Sequence, residues 1–288
     1  MEYYHTNFPD DENIRQGDII INLIGKNGGS HISNITYGVI LTADCDIAQD
    51  KSRDRYTWLE IIPVEQYIEH YWVQSEIKKI IKKQGRICIE ILNPHIKKEH
   101  PLLSPLTEKS LCEWLVSNSV EEVICALRYN PQDSILRKLK ALLIASRDSE
   151  SSNLDKLIEI KENLGTNKTA FIATLKEALS GSGDFPDFIF IPEIPAQDHS
   201  IGFIILLRNI STLRHHDLYK NEIDARVNGN ENGYYRIGRF SDALRFSISQ
   251  KVVFLFSRIG MESDFEQSCV TAIDLSLSEI IPIERSIK

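Results

Sequence analysis

Gly38-Val-Ile-Leu-Thr-Ala-Asp-Cys-Asp-Ile-Ala-Gln-Asp50 is the stretch on which the reading of this chain turns. Val39–Leu41 is an apolar run of strand type, and it breaks directly into Asp44-Cys45-Asp46. A carboxylate beside a low-dielectric core needs hydrogen bonds, a cation or a proton, or it destabilises the fold. Strand ends also collect functional side chains, because the sheet fixes the backbone while the side chains emerge toward solvent. Asp44, Cys45 and Asp46 are therefore the first candidate catalytic residues.

Three readings of them stand side by side. As a metal site, Asp44 and Asp46 hold Mg²⁺ or Mn²⁺ for phosphodiester chemistry. As a nucleophile, Cys45 needs a base such as His31 or His199 to form thiolate. As structure, each Asp caps a loop amide or pairs with an arginine while Cys45 fills core space. No histidine or lysine stands at a diagnostic spacing, and no D/E-x-K element follows, which favours the structural reading.

Working outward, Gln16–Ile24 reads as a strand entered through a Gly17-Asp18 turn, Gly25–Asn34 as a loop and Tyr37–Leu41 as a second strand. Ile47 and Ala48 continue the exit, Gln49–Arg55 is a charged turn, and Tyr56–Val64 is a third strand ending near Pro63. The period then becomes helical over Glu65–Gln84, with Gly85 as its stop and the lysines at 78, 79, 82 and 83 in its last turns. Arg86–Leu92 alternates as a half-buried strand. From Ser104 to Ser180 the pattern is helical, with starts at Ser104-Pro105, at the Ser119-x-x-Glu122 capping box and at Asn130-Pro131. Phe185–Ile191 and Ile201–Asn209 are apolar strands, Ser211–Gly233 is irregular, Tyr234–Phe240 is extended, and Ser241 caps a helix to Gly260.

The expected fold is α+β. A β-rich body from residues 14–95 and 185–288 is interrupted by a helical subdomain over 100–182, and the C-terminal helix packs its apolar stripe on the body. That packing would carry Arg236 and Arg239 toward Asp44–Asp46.

At 288 residues with 42% hydrophobic and 26% charged content, the chain buries a core and is not disordered. A net charge of −8 argues against a dedicated coat for nucleic acid or anionic lipid. The start has no basic flank or apolar run of a signal peptide, and no apolar stretch is long enough to span a bilayer. Five cysteines without a C-x-x-C pair fit a reducing compartment, so the expectation is a cytoplasmic protein with no membrane partner.

Within Ile201–Gly260 nine Arg/Lys stand against five Asp/Glu. There Arg236, Arg239 and Arg245 flank aromatic residues at a helix start, a combination suited to phosphate and to base stacking. The competing reading has these arginines pair with the acidic remainder of the chain, Asp44 and Asp46 included. His215-His216 beside Asp217 reads as surface histidines, because adjacent side chains seldom meet at one centre. The lysines at 78–83 read as a solvated helix face.

Gly17-Asp18-Ile19, a Gly-rich loop and then Gly38-Val39-Ile40-Leu41 resemble the start of the SH3-like barrels of PemK/MazF-type toxins, over residues 14–64. The resemblance implies SH3-like barrel elements in the β body and ribosome-independent RNA cleavage. Where those toxins carry an Arg-Pro pair this chain has Thr36-Tyr37, and Lys26 is the only fixed positive charge of Gly25–Asn34, so no catalytic residue is carried over. The Leu-Thr-Ala-Asp-Cys-Asp segment, Ile191-Pro192 and Arg258–Gly260 are also similar to bacterial proteins of defence and stress gene clusters. Two functions follow as expectations. One is a non-catalytic component of a bacterial multi-protein system, recognising a protein partner, or nucleic acid through residues 201–260. The alternative is a hydrolase of nuclease type, with Mg²⁺ or Mn²⁺ on Asp44 and Asp46.

Overall fold

The computed structural model describes residues 3–9, 12–22, 36–148, 151–180, 187–195, 202–229, 233–257 and 271. The chain divides into two compact units, Met1–Ser241 and Asp242–Lys288. The first is a mixed α and β structure built on a curled antiparallel sheet. Its strands are β1 (Tyr4–His5), β2 (Asp18–Asn22), β3 (Tyr37–Ile40), β4 (Arg55–Pro63), β5 (Phe188–Ile191), β6 (Phe203–Arg214), β7 (Leu218–Tyr219) and β8 (Tyr234–Phe240). Their order is β1-β8-β2-β3-β4-β6-β5, with β7 alongside β8 in the one parallel pairing among the described residues.

β2, β3 and β4 form where the β-branched runs predict them. In β2 every residue of Asp-Ile-Ile-Ile-Asn is buried, and in β3 every residue of Tyr-Gly-Val-Ile. Gly38 is required by close approach, since a Cβ there would stand 2.3 Å from Cε3 of Trp58. Ile20, Ile40, Tyr56, Trp58, Leu213 and Leu218 make one core cluster of the sheet. Each such side chain contributes about 1.5–3 kcal/mol on full burial.

The helices are α1 (Asp44–Ala48), α2 (Val64–Tyr67), a π turn (Ile68–Trp72), α3 (Val73–Glu99), α4 (Glu108–Ser117), α5 (Val120–Leu127), α6 (Asp133–Ser146), α7 (Asn153–Asn163), α8 (Lys168–Ser180), α9 (Glu222–Asn228) and, in the second unit, α10 (Asp242–Phe256). α3 buries Val73, Ile77, Ile80, Gln84, Cys88, Leu92 and Ile96, a period of three and four that runs straight through Gly85. The helix stop at Gly85 and the strand over Arg86–Leu92 are thus overturned. The Ile87/Ile89/Ile91 alternation is real, but the positions that reach the core are 88, 92 and 96, packed on Leu111, Leu115, Val123, Leu139 and Leu142. Gly85 serves close packing, its missing Cβ lying 3.3 Å from Cγ of Glu108. The lysines at 78–83 consequently lie mid-helix, and Lys97 and Lys98 occupy the last turn.

Other boundaries shift for local reasons. The capping box at Ser119 forms as read, with Glu122 returning its carboxylate to the Ser119 amide at 2.7 Å. α4 begins three residues beyond Pro105, at Glu108 after a Thr107/Ser110 capping box, and α6 begins after Gln132. The irregular segment expected over Ser211–Gly233 contains the end of β6, a 3-10 turn at His215–Asp217, β7 and α9. Ile47 and Ala48 belong to α1 and do not extend the strand. The Gly25–Asn34 loop, Gly181–Asp184 and the alternating tail around Ile280–Ile283 lie outside the described residues. Among the described residues no helix is long and apolar enough to cross a membrane.

Candidate functional site

The strand end at Leu41 is where the sheet opens into side-chain chemistry. Thr42 ties it to the neighbouring strand, its Oγ1 accepting from the Thr57 amide at 2.6 Å. Asp44 and Asp46 then fall in the first turn of α1, half-buried, with Cys45 exposed between them. Asp44 Oδ1 accepts from the Gln16 amide at 2.8 Å, and Gln16 Nε2 donates to the Leu41 carbonyl at 3.0 Å. The pair clasps the N-terminal leader to the end of β3. The Cys45 thiol donates to Asp46 Oδ1 at 3.6 Å. His31 and His199, the bases considered for Cys45, lie outside the described residues.

The fully buried carboxylate is a different one. Asp18, with no accessible surface, opens β2 and accepts from the Arg15 amide at 2.8 Å and from Arg239 Nε. Arg236 Nη1 lies 3.5 Å from its other oxygen. Arg239 also donates to Glu12, and Arg236 reaches the Asn13 carbonyl at 3.3 Å. The Phe8 ring covers both guanidinium groups, at 4.0 Å from Arg236 and 5.1 Å from Arg239. A bulge between Ile19 and Ile20 makes this geometry. Asp18 faces Arg239 and Ile20 faces Arg236, so two arginines three residues apart share one side of the sheet.

Burial pushes the Asp18 carboxyl above its ordinary range, opposed by Arg239, the Arg15 amide and Arg236. Glu12 is held below its range, chiefly by the hydrogen bond from Arg239. Burial lowers Arg236, whereas for Arg239 the effect of burial is outweighed by its bonds to Asp18 and Glu12, and its pKa rises. Arg236 and Arg239 are thus turned inward onto Asp18 and Glu12. Arg245, in the second unit, pairs with Asp242 at 2.9 Å and lies over the Phe246 ring at 4.7 Å.

Beside the leader an open groove of about 1120 Å³ runs between Pro9, residues 12–15, α1 and β7. Glu12, Arg15, Asp44, Asp50, His215 and Lys220 supply its polar lining, and Ile14, Ile47, Tyr56 and Leu218 its apolar part. His215 stacks on Tyr56 at 4.1 Å, and its Nε2 lies 3.0 Å from Ser52 Oγ. Its Nδ1 stands 3.9 Å from Asp54, whose side chain is 87% exposed. That separation is too long for a hydrogen bond, so the ring is oriented by Tyr56 and Ser52 and not by the carboxylate. The turn that carries Ser52 holds Asp50, Arg53 and Asp54 in the left-handed region, at φ of 51°, 48° and 61°.

One atom each from Asp50, Asp54 and His215 lie within 4.8 Å of one another, the one group of three metal-ligating side chains among the described residues. Asp44 and Asp46 are not in it. Reading the sequence found Asp44 but missed Ser52, Asp50 and Asp54 as neighbours of His215. The signal lies in the pairing of Arg55 with Arg214, which brings segments 163 residues apart into contact. Compared with models of known protein families, with curated proteins and with solved structures, the chain matches none.

Proposed function

We propose that this chain is a non-catalytic component of a bacterial multi-protein system, of the defence or stress type, which recognises a protein or nucleic-acid partner. The observation that carries the reading is the employment of the candidate side chains within the fold. Asp44 accepts the Gln16 amide, Asp46 accepts the Cys45 thiol, and Arg236 and Arg239 are engaged by Asp18 and Glu12. A metal-assisted hydrolase requires carboxylates that converge on open coordination positions and cations free to hold phosphate. Asp44, Arg236 and Arg239 instead fasten the leader to the sheet, and Asp46 is engaged within α1. The groove they leave has acidic, basic and apolar walls, the mixed surface of a recognition site.

In this reading β2, β3 and β4, consecutive in the curled sheet, are SH3-like barrel elements kept as a scaffold, in line with the PemK/MazF-type resemblance but without its RNA cleavage. The helical subdomain over 100–182 widens the partner surface, and the protein works in the cytoplasm.

The test is a thermal melt with and without Mn²⁺ or Mg²⁺, on the wild type and on Asp44→Asn/Asp46→Asn. A ligand that binds only the native state raises the melting temperature by mass action. The expected result is no effect of metal and a lower melting temperature for the variant. A metal-dependent rise that disappears in the variant overturns the proposal in favour of a metal-dependent hydrolase. The partner is sought by crosslinking and purifying the full chain from its own cells, beside a Lys220→Glu variant of the groove. A stoichiometric partner lost from the variant is expected, and recovery of none overturns recognition.

A further inference from the structure

α3 carries five cations in nine residues, Lys78, Lys79, Lys82, Lys83 and Arg86, and no acid stands between Ile77 and Ile89. The chain as a whole has a net charge of −8. Lys79, Lys82, Lys83 and Arg86 stand at i, i+3, i+4 and i+7, one face of the helix, and line an open groove of about 530 Å³ with Ile87 and Glu90. The fold does not require them. The helix packs through Ile77, Ile80, Gln84 and Cys88, and the four cations are exposed. Nor do they serve the helix dipole, since they lie mid-helix, where its influence has faded.

Lys82 and Lys83 enter no ion pair among the described residues. Lys79 and Arg86 pair with Glu76 and Glu90 at 2.9 and 2.8 Å, but with side chains 70% and 74% exposed. Exposed pairs of this kind contribute little and yield to a denser array of negative charge. Concentrated positive charge on an acidic protein is a directed feature, and its complement is a polyanion.

We propose that this face of α3 binds the phosphate backbone of a nucleic acid. The inference rests on the recognition reading above and names its partner class. An acidic protein would seek an apolar or aromatic centre to its interface, and this groove offers only the half-buried Ile87. From Lys79 to Arg86 the helix rises about 10 Å at about 1.5 Å per residue, which matches about three nucleotides of one strand. Contacts of lysine and arginine with phosphate position a strand without reading its bases, so binding is independent of sequence.

The test is fluorescence polarisation with labelled 20-nucleotide single-stranded RNA, single-stranded DNA and duplex DNA, across 50–200 mM salt. About three phosphate contacts give a slope of log K against log salt of about −2.1 for single strands to −2.7 for duplex, so affinity falls about 20- to 40-fold over that range. Lys82→Ala/Lys83→Ala is expected to flatten the slope by about 1.5–2 units and to weaken binding at 50 mM salt by tenfold or more. Lys97→Ala/Lys98→Ala, the same change of charge in the last turn, should bind like wild type. Circular dichroism verifies that both variants are folded.

Failure of the wild type to bind at 50 mM salt overturns the proposal, as does equal loss in the two variants. Binding of polyglutamate through Lys82 and Lys83, with no nucleic acid bound, overturns it in favour of an acidic protein. If nucleic acid does not bind but the groove-dependent partner is recovered, the recognition reading stands and this surface does not.

Discussion

Replacing Asp18 by alanine tests whether the buried charge cluster holds the first unit together. The carboxylate has no accessible surface and meets three partners: the Arg15 amide at 2.8 Å, Arg239 Nε and, at 3.5 Å, Arg236 Nη1. Removing it leaves two guanidinium groups, each about 5% exposed, with Glu12 as their remaining carboxylate. Breaking a buried pair by deleting one partner costs about 3–5 kcal/mol, because a buried charge is left uncompensated, here that of Arg236 above all, since Arg239 retains Glu12. For a unit of this size that is a fall in melting temperature of about 6–20 °C. Asp18→Asn keeps the volume and an acceptor for the Arg15 amide, so it should lose less. Urea denaturation of the full chain reads the difference directly. The reasoning is refuted if Asp18→Ala loses less than about 1 kcal/mol at an unchanged m-value, since the arginines would then be solvated or repaired elsewhere.

Further expectations follow from the same structure. The pKa of Glu12 is depressed in the folded state, so its stabilisation is present above its unfolded value of about 4.3 and disappears as pH falls through the folded value. Glu12→Gln should therefore narrow its stability gap to wild type below about pH 4, measured by melts from pH 3 to 6, and a gap independent of pH contradicts this. Cys88 is buried, and burial pushes its thiol up to about 11, whereas Cys45 is exposed. Alkylation at pH 7.5 followed by peptide mass spectrometry should label Cys45 within minutes and Cys88 only after unfolding. Gly38→Ala places a methyl 2.3 Å from Trp58 Cε3, and overpacking of this kind costs about 1–3 kcal/mol, visible as a lower urea midpoint with altered tryptophan fluorescence.

How far the fold could be read depends on whether its signals are local. β2, β3 and β4 are legible because β-branched runs bounded by turn residues leave one interpretation. The Ser119–Glu122 box is legible because both of its hydrogen bonds are made within three residues. At Gly85 the local signal points the wrong way. Glycine next to a lysine-rich turn resembles a helix end, yet the residue sits at a close approach between helices, where a Cβ would stand 3.3 Å from Cγ of Glu108. Only the longer period from Val73 to Ile96 discloses one uninterrupted helix.

The site follows the same division. That carboxylates near a core strand must be satisfied is sound chemistry, and it applies most strongly to Asp18, which the sequence presents as part of a Gly-Asp turn. Strand alternation assigns Arg236 and Arg239 to opposite faces. The bulge opposite Ile19/Ile20 reverses that: Ile237 is the extra residue, and Gly238 beside it is the one local signal within β8. The meeting of Ser52 with His215 depends on the register of β4 against β6, a property of the pair and not of either segment.

The leader joins the charge cluster to the groove. Two consecutive amides of it are held by two carboxylates: that of Arg15 by Asp18 at 2.8 Å, that of Gln16 by Asp44 at 2.8 Å. The same few residues place Glu12 and Arg15 in the wall of the groove. The wall of the groove is therefore held in place by this electrostatic lock. Glu12 is shared between the two, facing the groove while it binds Arg239. A partner cation that drew Glu12 away would expose a buried guanidinium to the loss of its second carboxylate, so Glu12 is a poor contact for a partner. On the recognition reading proposed above, Asp50, which lines the groove outside that cluster, is a contact without that penalty.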